Sequence, residues 1–303
     1  MQSDKKIIGK ANIDSIHDVI DEFEQFELFV PYIDQDWVDK LLKLPKGKVY
    51  SIHTPSKVKI GSTFAQFNLC ESPGYQKSWE DLRTLINACN KQQVDLIVIH
   101  GALRPVSQDH EQAIEQFAEE IDNTDFGTVQ ISFENDAVWY NRVDPHHALL
   151  CTKQDFTSLF KNLKTNAGIC LDFQHIELTH MYNKANIVAS DFDEFEQLYT
   201  DFVAKDDTNE YYDVLNEFVK EHEQKINHIH VCGSDCHHFI RNNNTFPLQG
   251  EHLPLTSPNN KYDMEKIAEV IRNLDAVVCI EIWDTERLNE FMIADKKYLA
   301  SLL

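Results

Sequence analysis

Short apolar runs alternate along the chain with segments of helical period. In the first such segment Ile16, Val19, Ile20 and Phe23 recur at i, i+3, i+4 and i+7, which predicts an amphipathic helix. The strand-like runs are KKIIGKA, ELFVPYI, KVYSIH, DLIVIH, TVQISFE, AGICLD, INHIHV and AVVCIEI, and each is followed by a predicted helix, the longest over residues 191–224. Strands that are buried on both faces give such continuous apolar runs. Eight strand and helix units in 303 residues predict a closed (β/α)8 barrel.

A doubly wound open sheet is the alternative architecture. The chain has only nine glycines and contains neither GxGxxG nor GxxxxGK[ST], so a nucleotide-binding version of that sheet would lack its usual phosphate loop. No break in composition and no linker divides the chain. We therefore expect residues 1–303 to form one TIM barrel domain.

Cysteine usage and hydropathy bear on location. Seven cysteines is an odd count, and Cys170 and Cys279 lie inside apolar runs, as reduced buried thiols do. The N-terminus lacks the apolar segment of a secretory signal, and nowhere do about eighteen apolar residues run together to span a bilayer. These features predict a soluble cytoplasmic protein with no membrane association.

Charge narrows the class of partner. Fifty Asp and Glu against 28 Lys and Arg leave a formal net charge of -22. Such a surface repels phosphate backbones, and nonspecific affinity for nucleic acids comes mostly from Lys and Arg. We therefore expect a small-molecule substrate and no nucleic acid. A homo-oligomer is left open.

Titratable residues end six successive predicted strands. In a closed barrel the C-terminal strand ends converge on one mouth, where active sites are built. Burying so many charges there without a cation would cost several kcal/mol each. We therefore expect a shared metal centre, with Asp172 and the nearby His175 on its rim. The six residues are His53, His100, Glu134, Asp172, His230 and Glu281.

Around these residues the sequence resembles the xylose isomerase-like barrels, which include sugar isomerases and epimerases and the endonuclease IV group. The matching pieces, in family order over nearly the whole chain, are HTP, VIHG, FEND, LDFQH, HIHV and IEI. From the epimerases the resemblance implies one divalent ion held by Glu134, Asp172, His230 and Glu281. It also implies that Glu134 and Glu281 shuttle a proton and that His175 contacts substrate oxygens.

The endonuclease IV relatives imply a different use of the same rim. There the positions of His53 and His100 join Glu134 around a second metal ion, and His175 joins a downstream Asp and His around a third. The family often continues with a segment like HLPLGEG, whereas this chain reads NTFPLQGEH and has Thr245 at the equivalent point. The third ligand pair is therefore expected to be absent there, and Asp235 with His237 is a weak substitute.

The ligand types suit Mn²⁺, Zn²⁺, Co²⁺ or Mg²⁺, with one ion expected and a second left open. His228 competes with His230 for the ligand position because alternate residues of a strand share a face. His53, His100, Trp283 and Arg104 are predicted to bind substrate, Trp283 as an apolar plate for a sugar face and Arg104 as a partner for an anionic group.

Two enzyme classes remain. The leading one is a metal-dependent isomerase or epimerase acting on a sugar or sugar-like molecule by proton transfer between carboxylates. The alternative is a two-metal phosphodiesterase resembling the abasic-site endonucleases, which His53 and His100 favour and the net charge opposes.

Overall fold

The structure is a computed structural model that describes most of the chain. The described residues are 5–16, 21–70, 74–100, 102–137, 146–187, 192–203, 210–235, 239–240, 249–250, 252–282 and 288–303.

Eight parallel strands close into a barrel, as the alternating apolar runs predict. The strands are β1 Ile7–Asn12, β2 Phe26–Phe29, β3 Val49–His53, β4 Leu96–Ile99, β5 Gln130–Glu134, β6 Ala167–Asp172, β7 Ile226–Val231 and β8 Val277–Ile280. Around the barrel they follow one another in chain order, and β8 pairs with β1 to close it. The prediction of a (β/α)8 barrel is therefore confirmed.

Helices surround the strands. They are α1 Gln35–Lys43, α2 Tyr75–Gln92, α3 His110–Asp122, α4 Lys153–Asn162, α5 Phe173–Ala185, α6 Phe192–Val203, α7 Glu210–His222, α8 Met264–Asn273 and α9 Leu288–Leu302. Within the described residues, three short antiparallel ribbons lie in the connections: Lys57–Ile60 with Thr63–Gln66, Leu103–Pro105 with His146–Ala148, and Phe239–Ile240 with Gln249–Gly250.

One predicted helix lies partly outside the described residues, and another corresponds to two helices in the structure. Residues 17–20, the centre of the predicted first helix, lie outside the described residues, although Ile16 and Phe23 are buried as predicted. The stretch 191–224 holds two helices, α6 and α7, with residues 204–209 between them outside the described part. A further helix, α5, begins directly after β6, so His175 lies in a first helical turn.

Alternation along each strand separates two environments. On β4, Ile97 and Ile99 belong to the large core between sheet and helices, whereas Leu96 and Val98 form a small cluster with Cys170. Successive side chains of a strand point to opposite faces, so this smaller cluster fills the barrel interior. By the same alternation, every second residue points into the barrel, and the polar ones near the strand ends point toward the mouth.

Six cysteines are described, and all are buried and free. Burial raises the pKa of the Cys70 thiol to about 12. The reducing location that the sequence suggested stays a prediction. No helix in the described part of the chain is both long and apolar enough to cross a membrane.

Candidate metal centre

Four of the predicted ligands meet at the barrel mouth. One ligand atom from each of Glu134, Asp172, His230 and Glu281 lies within 4.8 Å of the others, and all four residues are buried. Strand pairing places Asp172 directly beside His230 across β6 and β7. Carboxylate and imidazole ligands together suit a divalent first-row cation or Mg²⁺.

Asp172 has two distinct oxygens. Its Oδ1 caps α5 by accepting a hydrogen bond from the backbone N–H of His175 at 2.8 Å. Its Oδ2 is buried and has no hydrogen-bond donor among the described residues. Asn135 braces the residue by pairing with its backbone N–H and carbonyl at 2.7 and 2.9 Å. A rigidly held carboxylate in the cluster therefore has one oxygen without a hydrogen-bond donor among the described residues.

The two glutamates converge on His230. Glu134 Oε1 lies 3.1 Å and Glu281 Oε2 lies 3.0 Å from His230 Nδ1. The second oxygen of each glutamate is held separately: His53 Nε2 contacts Glu134 Oε2 at 3.0 Å, and Lys10 Nζ donates to Glu281 Oε1 at 2.8 Å. Each glutamate thus directs one oxygen toward the centre and has the other fixed by a neighbour.

Electrostatics single out Asp172 among the carboxylates. Burial raises the pKa of Asp172 above 3.8, and the charges of Glu134 and Glu281 raise it further against the influence of His175. Burial also acts to raise the pKa of the two glutamates. Nevertheless, His230 beside Glu134 and Lys10 beside Glu281 lower those pKa values well below 4.5. Asp172 is the member of the set that lacks sufficient positive charge, so a dication fits this arrangement.

The charge on His230 supports the same interpretation. Burial lowers the pKa of this imidazole, but the neighbouring Cys170, Glu27 and Glu134 raise it well above 6.5. Both ring nitrogens face carboxylate oxygens. Without an ion, a proton on Nδ1 supplies the positive charge between the glutamates, and an ion binding there would displace that proton.

The ring of His53 also faces two hydrogen-bond acceptors, one at each nitrogen. Its Nδ1 lies 2.8 Å from the carbonyl oxygen of Thr54, and its Nε2 lies 3.0 Å from Glu134 Oε2. Burial and the charge of Lys10 lower the pKa of His53, which favours the neutral ring. A neutral imidazole has only one N–H, so one of its two nitrogens faces an acceptor without a proton between them.

More histidines line the same mouth. His175 Nδ1 donates to the carbonyl of Asn135 at 2.8 Å, and its ring lies 5.7 Å from that of His100 and 6.1 Å from that of His252. His100 is the more exposed, with 31% of its side chain accessible, and its Nε2 lies 3.6 Å from Asp136 Oδ1. Burial lowers the pKa of His252 to about 3, so that ring is neutral near pH 7. Donors and acceptors of this kind can orient hydroxyl groups.

The remaining predicted residues have different surroundings. His228 Nε2 contacts Glu27 and does not belong to the group of Glu134, Asp172, His230 and Glu281. This favours His230 over His228 as the ligand. Arg104 donates to His110 and to the carbonyls of Pro105 and Gln108, so at least part of its guanidinium stabilises a loop. The predicted substrate residue Trp283 lies outside the described residues, as do Thr245 and His237.

Sequence reasoning overlooked three residues near this centre. Lys10 and Glu27 are charged residues in the apolar runs of β1 and β2, and the structure buries both beside Glu281 and His230. A lone charge inside an apolar strand is the signal that would have found them. His252 begins the tetrapeptide HLPL, which matches the start of the family segment better than NTFPLQGEH does. Its Nδ1 lies 3.7 Å from Glu281 Oε1.

Comparison with known proteins agrees with this arrangement of strands. The sequence matches the family model for xylose isomerase-like TIM barrels over residues 18–302. The chain belongs to this family. No curated protein sequence matches it significantly.

Solved structures similar to this xylose isomerase-like barrel carry several different enzyme names. A D-tagatose 3-epimerase-like protein is 16% identical, with 98% of each chain covered and a TM-score of 0.61. Endonuclease IV from Thermus thermophilus is 13% identical, with 98% of this chain and 100% of that chain covered and a TM-score of 0.59. A D-psicose 3-epimerase determined with D-fructose is 13% identical over 98% and 99% of the two chains, with a TM-score of 0.59. At these identities the likeness shows the fold.

Proposed function

We propose that the protein is a divalent-metal-dependent isomerase or epimerase acting on a sugar or sugar-like small molecule. The observation that carries the proposal is the pair of buried glutamates, Glu134 and Glu281, whose oxygens both approach His230 Nδ1 at about 3 Å. The proposed ligands are these three residues and Asp172. Mn²⁺, Zn²⁺, Co²⁺ and Mg²⁺ all suit this set, and one ion accounts for it.

A bound divalent ion would act as a Lewis acid toward a substrate carbonyl or hydroxyl. A coordinated carbonyl would acidify the neighbouring C–H. Glu134 and Glu281 reach the centre from β5 and β8, which are separated in the barrel by β6 and β7. They therefore approach a bound substrate from different sides. One carboxylate removes a proton from carbon, and the other carboxylate returns a proton on the opposite face.

The neighbouring residues hold these carboxylates in place. His53 fixes Glu134 Oε2 and Lys10 fixes Glu281 Oε1, so each glutamate keeps a defined orientation during proton transfer. His175 and His100 are placed to bind substrate hydroxyls, and Trp283 is proposed as an apolar surface for the sugar ring. Arg104 is proposed to bind an anionic substituent of the substrate. The N–H groups that do not contact its loop would make this interaction.

The two-metal hydrolase is the second candidate. His53 favours it, because its Nε2 faces Glu134 and its ring lies 5.2 Å from that of His100. However, His53, His100 and Glu134 are not among the described groups that bring one ligand atom each within 4.8 Å of the others. The net charge of -22 also disfavours DNA as a substrate.

Hydrogen exchange at carbon separates the two candidates. The metal-loaded protein would be incubated in deuterated water with a panel of ketoses and aldoses, and deuterium at carbon would be measured by mass spectrometry. We expect exchange on at least one sugar and its loss in Glu134→Gln and Glu281→Gln. Glu217→Gln is the matched control, since Glu217 is an exposed residue of α7 that pairs with Lys153 of α4.

A parallel assay with abasic-site DNA tests the alternative. We expect no strand cleavage. Cleavage that disappears in His53→Ala and His100→Ala, together with no exchange on any sugar, would replace the isomerase proposal by the hydrolase.

A further inference from the structure

A second buried carboxylate lies on the other edge of the His230 ring. Glu27 on β2 is fully buried, and its Oε1 lies 2.8 Å from His230 Nε2. At this distance the two groups form an ion pair. His230 is therefore held between Glu27 on its Nε2 side and the proposed metal centre on its Nδ1 side.

Glu27 is itself fixed by three neighbours. Its Oε2 accepts hydrogen bonds from Ser51 Oγ and His228 Nε2, each at 2.8 Å. Lys10 Nζ lies 3.4 Å from Oε1. The same ammonium group donates to Glu281, so Lys10 connects Glu27 to a proposed metal ligand. With these contacts on both its oxygens, Glu27 cannot rotate without breaking several interactions.

We propose that Glu27 is a positioning residue that orients His230 for metal binding. A carboxylate beside Nε2 favours the hydrogen on that nitrogen and leaves the Nδ1 lone pair for an ion. Histidine ligands commonly depend on such an outer partner, whose loss typically lowers metal affinity about 10–100-fold. The inference rests on the metal binding in the proposed function and adds a residue that holds no ion itself.

A second metal ion in this deeper layer is the competing explanation. Glu27, His228, His230 and Cys279 also bring one ligand atom each within 4.8 Å. Lys10 already places positive charge beside Glu27, and Ser51 with His228 occupies its other oxygen. The Lys10 ammonium group balances the charge of Glu27 without a metal ion, so we assign Glu27 the positioning role.

The test compares metal binding in wild type and Glu27→Gln. Affinity for Zn²⁺ would be measured by competition with a chromogenic chelator, and ligand geometry by the visible spectrum of the Co²⁺ form. We expect Glu27→Gln to bind about 10–100-fold more weakly and to show a shifted Co²⁺ spectrum. Asp81→Asn is the control, since Asp81 is a buried carboxylate paired with a lysine, Lys77, on α2. It should match wild type in both measurements.

A double variant distinguishes orientation from charge. Lys10→Met with Glu27→Gln removes one positive and one negative group, so the net charge of the layer is unchanged. Because Lys10 also holds Glu281, the double variant is compared with Lys10→Met alone. Positioning by Glu27 predicts that the double variant binds Zn²⁺ more weakly than Lys10→Met and has a different Co²⁺ spectrum. Recovery of wild-type affinity and spectrum would show that Glu27 acts through charge alone and would overturn the inference.

Other outcomes are equally decisive. If Glu27→Gln fails to fold, Ser51→Ala is used instead, because it removes one hydrogen-bond donor to Glu27 without changing the charge. We expect Ser51→Ala to weaken Zn²⁺ binding several-fold, which is less than the loss of about 10–100-fold expected for Glu27→Gln. Unchanged affinity and spectrum in the folded variants would overturn the positioning role. So would two bound ions in wild type and one in Glu27→Gln. Wild type that binds no divalent ion would instead refute the proposed function.

Discussion

Replacing Asp172 by Asn separates the two roles of this side chain. Asn caps helices about as well as Asp, so the hydrogen bond to the backbone of His175 should survive. The change removes the buried charge whose Oδ2 has no hydrogen-bond donor among the described residues. Because the pKa of Asp172 is raised on folding, its ionised form destabilises the metal-free protein at neutral pH. Metal-free Asp172→Asn should therefore be at least as stable as metal-free wild type.

The metal-bound form should respond in the opposite direction. An ion at 100 times its Kd stabilises wild type by about 2.7 kcal/mol. With an unfolding entropy of about 2.1 cal/mol/K per residue, that corresponds to a rise in Tm of about 4 °C for a chain of this length. Losing the ligand should weaken binding at least as much as losing an outer partner, about 100-fold. At the same ion concentration the rise then falls below about 1 °C.

The assay is differential scanning calorimetry with and without the ion, combined with metal stoichiometry of the purified protein. Asp172→Ala is the comparison, since it also loses the cap and should unfold about 1 kcal/mol more easily than Asp172→Asn without metal. Wild-type affinity and stoichiometry in Asp172→Asn would refute the ligand assignment. A metal-free Asp172→Asn that melts several degrees below wild type would show that the buried charge is satisfied by the protein.

Three further predictions concern pH, helix capping and thiols. Metal affinity, measured by chelator competition, should fall about tenfold per pH unit on acidification below the raised pKa of His230, because a proton competes for Nδ1; a flat profile between about pH 8 and 5 would exclude histidine ligation. Asp155→Ala should cost about 1 kcal/mol in urea unfolding at pH 7, since Asp155 completes the capping box of α4. Although burial raises the pKa of Asp155, His110 and backbone N–H groups lower it below 3.8, so this loss should persist to about pH 4 and shrink as the carboxylate protonates. Cys170 and Cys279 should react with a thiol reagent only on unfolding, because burial raises the pKa of both thiols, and rapid labelling of either in the native protein would contradict their burial.

The barrel and most of the proposed centre follow from local pattern. Apolar runs alternating with helical segments predicted all eight strands. A titratable residue at the end of each later strand predicted a shared mouth, because parallel strands of a barrel end on the same rim. Glu134, Asp172, His230 and Glu281 needed only this rule and the family resemblance to be chosen, and the structure brings ligand atoms of all four together.

Contacts between distant strands decide which atoms of these residues face the proposed metal centre. The choice between His228 and His230 could not be made from their shared strand face, because both point inward and both contact Glu27. Only His230 also faces Glu134 and Glu281, which come from other strands. The two oxygens of Asp172 likewise differ because Oδ1 accepts a hydrogen bond at the start of α5, whereas Oδ2 is buried and has no donor among the described residues.

Lys10 and His252 show the same limit. Lys10 is one lysine among 28 basic residues until β1 closes against β8 and places it beside Glu281. His252 lies after a long connection and reaches the mouth only because residues 233 and 253 pair across it. The hydrophobic pattern of the sequence predicts which face of a strand or helix a residue occupies, because that face is set by its position among its neighbours in the chain. Partner, orientation and protonation are decided by groups that only chain closure brings within a few ångströms.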